Sequence, residues 1–163
     1  EEINFILDGG PCFCGLESTI IGFENDKPIL YRHGAISTEE IEKIIGPIKI
    51  KNQNSKNPSA PGMLTRHYAP KTQIQINEDI SLALAQNPDK KIGVLSFRKN
   101  KKIKTEIHQE VLSISGDLNE ASKNLYAALH RLDQMNLDLI ISSFFPEKGL
   151  GKTINDRLKR AIK

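Results

Sequence analysis

Hydrophobic and polar positions alternate over the first 47 residues in the manner of β-strands. EINFILDGG sets Ile3, Phe5 and Leu7 on one face, and ESTIIGF leads through the turn ENDK into PILYR. Alternation with period two, broken by glycine and by short polar turns, predicts strands and a hairpin. We therefore expect one strand over residues 3–7 and a second and third strand paired as a hairpin.

A short helix is predicted next, over STEEIEKIIG. Ser37 is the expected N-cap, Glu40 follows three residues later as in a capping box, and Gly46 ends the helix. Its predicted buried stripe consists of Ile41, Ile44 and Ile45.

From residue 72 onward, apolar strand patterns alternate with helical ones. The strand patterns are TQIQI, KIGVLSF, EVLSIS and LDLIISSFF, and the helical patterns are NEDISLALAQN, DLNEASKNLYAALHRLDQMN and TINDRLKRAIK. Asn77 is the expected cap of the first of these helices. The buried face predicted for the second consists of Ala121, Leu125, Ala128, Leu129 and Leu132. Such alternation predicts an α/β fold with a parallel sheet flanked by helices.

The first region is too small to stand alone. A segment of roughly 45 residues is near the size below which isolated cores rarely hold. We expect it to need a partner surface or further sequence.

Composition narrows the class of protein without naming a function. The chain has 163 residues, 38% of them hydrophobic and 26% charged, with a net charge of +3, too small a bias to imply nucleic acid or membrane by itself. No apolar run has the length of a membrane span, and two cysteines favour a reducing cytoplasm over a disulfide framework. Because the chain begins with Glu1, we expect it to be a piece of a longer polypeptide.

Two stretches carry residue types suited to ligand binding. In DGGPCFCGLESTI, glycines precede Ser18 and Thr19, whose hydroxyls can bind a charged oxygen or ammonium group. The pattern alone favours a turn-rich connection there. Arg32, at the end of ILYRHG, is placed either to clamp a phosphate or carboxylate or to lie solvated on the surface, and both remain open.

Three other motifs are explained more simply by structure than by chemistry. Cys12 and Cys14 lack the further ligands that zinc needs, so we predict structural thiols and no metal site. PEKGLGKT nearly matches a phosphate-binding loop, but Pro146 replaces its first glycine, and we predict instead that Thr153 and Asp156 form a helix cap. The basic run RKNKKIK is predicted to be a solvated loop; RNA binding there would show steep salt dependence.

The connector between the two regions is polar in its first half and stiff in its second. SAPGMLTRHYAPKT holds Arg66, His67 and Tyr68 between prolines. We interpret this stiff, aromatic and cationic segment as one that closes over a charged ligand.

Taken in order, LDGGPCFCGLESTII, ILYRHGAIS, SAPGMLTRHYAPKT, NLYAALHRLD and EKGLGKTINDRLKRA resemble the two-domain threonylcarbamoyl-AMP synthases of the YrdC-like superfamily. The resemblance covers nearly the whole chain. It implies that residues 1–47 are the C-terminal part of a YrdC-like catalytic domain, that residues 48–71 are the interdomain linker, and that residues 72–163 are a small Rossmann-like C-terminal domain.

The resemblance also implies an activity. Family members are nucleotidyltransferases that condense L-threonine, bicarbonate and ATP, with Mg²⁺, to threonylcarbamoyl-AMP and pyrophosphate. The threonylcarbamoyl group then passes to tRNA through transfer proteins, which makes the link to tRNA indirect.

Residue by residue, Ser18 matches a threonine-contacting position, and Arg32 and Tyr68 match ATP-contacting positions. His33 stands where many relatives have proline. No catalytic residue is identified in this chain. The triphosphate-binding cluster and most of the threonine pocket belong to the preceding YrdC-like sequence, so we expect the chain alone to be inactive. The alternative is a non-catalytic α/β module that binds a regulatory ligand or partner.

Overall fold

The computed structural model describes residues 3–10, 12, 14–51 and 69–162. Its strands are β1 (Ile20–Glu24), β2 (Lys27–Arg32), β3 (Lys49–Ile50), β4 (Ile74–Ile76), β5 (Ile92–Ser96), β6 (His108–Val111) and β7 (Leu139–Ser142). Its helices are α1 (Thr38–Ile45), α2 (Ile80–Ala85), α3 (Leu118–Asp133) and α4 (Leu150–Ala161).

The C-terminal strands form one parallel sheet in the order β4-β7-β5-β6. Helix α2 covers one face, where Ile80 and Ala83 pack with Val94 and Leu139. Helices α3 and α4 cover the other face in a larger apolar cluster. The α/β class and the parallel sheet expected from the alternating pattern are confirmed.

Helix α3 shows how directly periodicity fixes packing. Its residues Ala121, Leu125, Ala128, Leu129 and Leu132 are all buried, as their spacing predicts. Asp117 caps the helix by accepting a hydrogen bond from the Glu120 backbone N–H at 2.7 Å.

The N-terminal sheet contains the predicted hairpin, with β1 antiparallel to β2 and β3 added in parallel. Asn25 and Asp26 have φ values of 49° and 60°. Two positive φ angles in succession are the mark of a type I′ turn, whose twist suits a hairpin. The turn predicted at ENDK is confirmed.

The strand predicted over residues 3–7 is absent. Residues 3–10 are neither helix nor strand and pair with no neighbouring strand, and Phe5 and Leu7 are 93% and 100% exposed. A strand needs a partner for its backbone groups and its apolar face, and no other strand of the described residues offers one.

The helix α1 begins as predicted but packs less than predicted. Ser37 and Glu40 form the capping box, and Ile41 is buried. Ile44 and Ile45, however, are 86% and 47% exposed, because only one narrow side of this eight-residue helix meets the sheet, in a small cluster with Leu30.

Two caps differ from those predicted in the C-terminal region. Asp79, not Asn77, caps α2, while the Asn77 side chain accepts a hydrogen bond from the Asp79 N–H at 2.9 Å. Helix α4 begins earlier than predicted, behind Gly149, so Thr153 lies inside the helix and cannot cap it with Asp156. Ile162, at the end of the helical pattern TINDRLKRAIK, is 38% exposed because the helix has already ended.

Residues 49 and 50 extend the N-terminal sheet by pairing with β2. The proposed domain boundaries at residues 47 and 71 stay a prediction. Among the described residues, no helix is long and apolar enough to cross a bilayer.

Candidate functional site

The N-terminal segment finds its partner surface on helices α3 and α4. Leu16, only 7% exposed, belongs to the same apolar cluster as Leu125 and Leu129 of α3 and Leu158 of α4. The two regions therefore share one core, although their sheets are separate.

Two glycines allow the backbones to approach closely at this contact. A Cβ at Gly15 would lie 2.6 Å from the Lys123 backbone, and one at Gly34 would lie 2.3 Å from the backbones of Ser18 and Thr19. Such distances exclude any side chain at these positions. The Ala35 N–H donates to the Glu17 carbonyl at 2.8 Å, which fixes the segment after β2 to the segment before β1.

A buried ion pair joins the two regions. The Arg157 side chain is 4% exposed, and its Nε donates to Glu17 Oε2 at 2.9 Å. The Tyr126 hydroxyl lies 3.2 Å from both Glu17 carboxylate oxygens and donates to them. Glu17 thus receives one bond from α4 and one from α3.

Arg157 donates two further hydrogen bonds, from its two terminal nitrogens. Its Nη2 donates to the His33 carbonyl at 2.9 Å, and its Nη1 donates to Asp156. Asp156 also accepts from Arg160 Nε at 3.0 Å. Two arginines therefore face two carboxylates, which is the compensation that a buried charge requires.

The protonation states follow from this arrangement. Burial alone would raise the pKa of Glu17, but its backbone hydrogen bond and the attraction of Arg157 outweigh that effect and lower the pKa below 4.5. Burial, followed by the Glu17 charge, raises the pKa of Tyr126 to about 12. At neutral pH a carboxylate therefore accepts from a neutral phenol and a guanidinium.

Ser18 and Arg32, predicted from sequence as site residues, lie together beside this ion pair. Arg32 Nη2 donates to the Ser18 carbonyl at 2.8 Å and to its Oγ at 3.1 Å, and Arg32 Nε donates to the same carbonyl at 3.1 Å. Ser18 is exposed and directly follows Glu17, while Arg32 directly precedes His33. The two side chains form one edge at the open end of the hairpin.

Tyr68, the third predicted site residue, lies outside the described residues. The described chain resumes at Ala69 and Pro70, which line a depression on α3 together with Tyr126. Thr72 fixes this end by donating from its N–H and its hydroxyl to Asp133 Oδ1, at 2.8 and 2.9 Å. The residue next to Tyr68 is thus held beside the tyrosine that contacts Glu17.

In the loop PEKGLGKT, which nearly matches a phosphate-binding loop, the Gly149 N–H and the Lys152 ammonium bind a carboxylate of the chain itself. Glu39, in the first turn of α1, accepts from the Gly149 N–H at 3.3 Å and pairs with Lys152 Nζ at 2.7 Å. The hydrogen bond from Lys152 is the main reason that the pKa of Glu39 is lowered. This loop therefore forms a second contact between the two regions.

A crevice of about 750 Å³ opens at the carboxyl ends of β5, β6 and β7. Its lining residues include Phe97, Arg98, Asn119, Lys148 and Leu150. The strands β5 and β7 are neighbours whose following chains pass to opposite faces of the sheet. In open α/β sheets, such a place is where ligands bind most often.

Metal ligands do not cluster in the part of the chain that the structure describes. No group of three His, Cys, Asp or Glu side chains there is arranged to hold an ion, so these residues do not fit a resident Mg²⁺ site. Cys12 and Cys14 are free thiols.

Sequence reasoning missed the role of Glu17, Tyr126 and Arg157. A signal did exist for Arg157, because it follows Ile154 by three positions and precedes Ala161 by four, on the buried stripe of α4. A charged residue in that phase predicts a buried partner. Nothing in the sequence indicates that the partner is Glu17, 140 positions away.

Comparison with known proteins decides the family. The profile described as "Threonylcarbamoyl-AMP synthase, C-terminal domain" matches residues 36–162. This chain belongs to the threonylcarbamoyl-AMP synthase family. The resemblance drawn from the order of the motifs is confirmed.

Named relatives agree along almost the entire chain. The threonylcarbamoyl-AMP synthase of Bacillus subtilis is 34% identical over 170 residues, covering 98% of this chain and 49% of the relative. The synthase of Pyrococcus abyssi is 32% identical, with coverage of 98% and 49%. The chain spans about half the length of these curated relatives.

Solved structures of the family agree with the fold. The crystal structure of Pyrococcus abyssi Sua5 complexed with L-threonine superposes with a TM-score of 0.79 at 32% identity, covering 94% of this chain and 48% of that one.

Substitution of Gly34 tests the close packing at the contact. We expect Gly34→Ala to lower the free energy of unfolding by about 1–3 kcal/mol, because the clashing atoms are backbone and cannot rotate away. Urea denaturation followed by circular dichroism measures this. Gly9→Ala is the matched control, since a Cβ there meets nothing within 4 Å. Equal stability of the two variants would contradict the packing described.

The stability of the contact depends on pH through His33. Burial lowers the pKa of His33 below 6.5, although Asp156 acts in the opposite direction. The unfolded chain therefore takes up the proton first as pH falls. We expect the stability that the neutral His33 side chain gives the folded protein to be fully present above pH 6.5. It should be lost as pH falls through the lower pKa of His33 in the folded state.

The measurement is the free energy of unfolding between about pH 7 and pH 5 for the native chain and His33→Gln. Glutamine does not titrate, so the variant should show the shallower decline. A decline as steep as that of the native chain would show that His33 does not contribute. The other charged groups that act on this imidazole are Lys152, Arg157 and Glu147.

Proposed function

We propose that this chain works as the C-terminal half of an L-threonylcarbamoyladenylate synthase. The enzyme would condense L-threonine, bicarbonate and ATP to threonylcarbamoyl-AMP and pyrophosphate, for the threonylcarbamoyladenosine modification of tRNA. Family membership supports this, as does the match to about half of each relative. The relative solved with L-threonine is related along 94% of this chain.

The observation that carries the proposal is the pairing of Ser18 with Arg32. A guanidinium and an exposed hydroxyl, 3.1 Å apart at the open end of a hairpin, offer one group for an anion and one for a small polar substrate. In this proposal Ser18 contacts threonine and Arg32 contacts ATP.

The chemistry asks for positioning and for stabilisation of negative charge. An oxygen of the threonylcarbamate attacks the α-phosphorus of ATP, and pyrophosphate leaves as the P–O bond to it breaks. Charge spreads over the phosphate oxygens in the transition state, which Arg32 stabilises. Tyr68, in the linker, closes over the nucleotide and keeps water from the labile intermediate.

The other residues that contact the substrates belong to the YrdC-like N-terminal half. That half carries the triphosphate contacts and most of the threonine pocket. Mg²⁺ arrives with ATP, and no step is assigned to it from the described residues. The exposed apolar side chains of the N-terminal segment, Ile3, Phe5, Leu7 and Phe23, provide a surface that this half would cover.

The proposed location of the protein is the cytoplasm. The free thiols of Cys12 and Cys14 suit a reducing cytoplasm. The link to tRNA is indirect, through the proteins that transfer the threonylcarbamoyl group.

One observation favours a second function. The crevice at the carboxyl ends of β5, β6 and β7 suits a regulatory small molecule, with the cations Arg98 and Lys148 beside the apolar Phe97 and Leu150. In that case the C-terminal α/β region would bind a ligand without chemistry, in a crevice that Glu39 and Glu40 of α1 also line.

Kinetics of the full-length synthase test the two site residues. Ser18→Ala should raise the KM for threonine about 10-fold, since a hydrogen bond to a charged substrate is lost. Arg32→Lys should lower kcat about 10²-fold, because lysine cannot reproduce a bidentate guanidinium. The measurement is formation of threonylcarbamoyl-AMP at varied threonine and ATP. Arg131→Lys is the matched control, as Arg131 pairs with Glu110 on the surface of the C-terminal region.

Unchanged kinetics in both site variants would contradict the proposed roles.

Calorimetric titration of ATP separates the two functions. Binding by the full-length protein alone supports a site divided between the halves. Equally tight binding by residues 1–163 would favour the regulatory module.

A further inference from the structure

In the described chain, the polar contacts that α3 and α4 make with residues 17–34 fall within two residues of Ser18 or Arg32. Arg157 and Tyr126 bind Glu17, which precedes Ser18. The carbonyl of the residue after Arg32 accepts from Arg157, and the carbonyl of Gly34 accepts from the Thr153 hydroxyl at 3.0 Å. The C-terminal region thus contacts the chain just before β1 and just after β2, beside the proposed substrate-binding residues Ser18 and Arg32.

We propose that Arg157 is a positioning residue for the synthase reaction, setting the distance between Ser18 and Arg32 through Glu17 and the His33 carbonyl. This inference rests on the proposed function. It assigns to the C-terminal α/β region a task in catalysis, although none of its described residues is placed against substrate.

The geometry of one guanidinium supports this role. Arg157 reaches the Glu17 carboxylate, three residues before β1, and the His33 carbonyl, directly after β2, each at 2.9 Å from a different nitrogen of one rigid plane. A planar group with fixed donor directions sets the spacing of its two partners. Lysine has one nitrogen on a flexible stem and cannot hold both partners in the same way.

Burial makes the contact stiff. The side chain of Arg157 is 4% exposed and that of Glu17 is 23% exposed, so water competes weakly for these bonds. Asp156 holds the guanidinium from a third side. Because small misplacements of reacting groups reduce rates strongly, about 10²-fold for 1 Å, such stiffness bears on catalysis.

The hairpin has further restraints from its own region, since β2 pairs with β3, Leu30 packs with Ile41 of α1, and the Ala35 N–H donates to the Glu17 carbonyl. Its turn is exposed, and Phe23 near the turn is 72% exposed. The open end, with Ser18 and Arg32, is where the helices hold it. Loss of the Arg157 contacts would remove two of the hydrogen bonds that fix the proposed substrate edge against α4.

The test compares Arg157→Lys and Tyr126→Phe in the full-length synthase, by steady-state kinetics at a temperature where circular dichroism shows both to be folded. We expect Arg157→Lys to lower kcat/KM for threonine about 10²-fold. Tyr126→Phe should lower it only a few fold, about 3-fold to 10-fold, because Glu17 keeps its bond to Arg157. Arg131→Lys, the same substitution in an ion pair whose arginine is 55% exposed, should leave it unchanged.

A second readout separates positioning from loss of stability. If Arg157 acts through Glu17, then Glu17→Gln added to Arg157→Lys should lower the rate little further, since both changes break one contact. A purely structural role would instead lower the Tm and leave kcat/KM of the folded enzyme unchanged. That result in Arg157→Lys, or full additivity with Glu17→Gln, would overturn the inference. Should Arg157→Lys fail to fold, Glu17→Gln alone carries the test, because it breaks the same ion pair from the other side.

The outcomes also distinguish this inference from the proposed function. An active native enzyme with an unaffected Arg157→Lys variant overturns the positioning role alone. A native enzyme that forms no threonylcarbamoyl-AMP overturns both.

Discussion

A buried arginine on α4 holds the two regions of this protein together. Burial of a guanidinium is unfavourable unless charge and hydrogen bonds compensate for it, and removal of one partner of such a pair is strongly destabilising. Arg157 is compensated by Glu17 and by the His33 carbonyl, both from the N-terminal segment. The segment that bears Ser18 and Arg32 must therefore lie against α3 and α4.

Close packing and electrostatics act at the same place. Glycine at position 34 lets the backbone after β2 touch the backbone before β1, where the His33 carbonyl and the Glu17 carboxylate both contact Arg157. Leu16 packs in the apolar cluster with α3 and α4, so hydrophobic burial also stabilises the contact between the two regions. A segment too small to form its own core is thereby part of another one.

Local patterns in the sequence predicted what local physics decides. The periodicity of α3, the hairpin turn at ENDK and the capping box of α1 depend on near neighbours, and all three are as expected. The strand over residues 3–7 is absent because a strand requires a partner, which alternation alone cannot supply. The pairing of Glu17 with Arg157 was missed for the same reason, since a contact across the chain leaves no periodic trace. The roles predicted for Ser18 and Arg32 rest on the family resemblance, while the side chains that hold their segment are visible only in three dimensions.

Hydrogen–deuterium exchange at the Ala35 amide, in the chain of residues 1–163, tests the central claim most directly. This N–H donates to the Glu17 carbonyl at 2.8 Å, beneath the contact with α3 and α4. If the helices hold the segment as described, the amide should exchange as slowly as the amides in the middle of α3. Exchange as fast as that of the exposed residues 3–7 would show that the segment is not held, and would contradict the account.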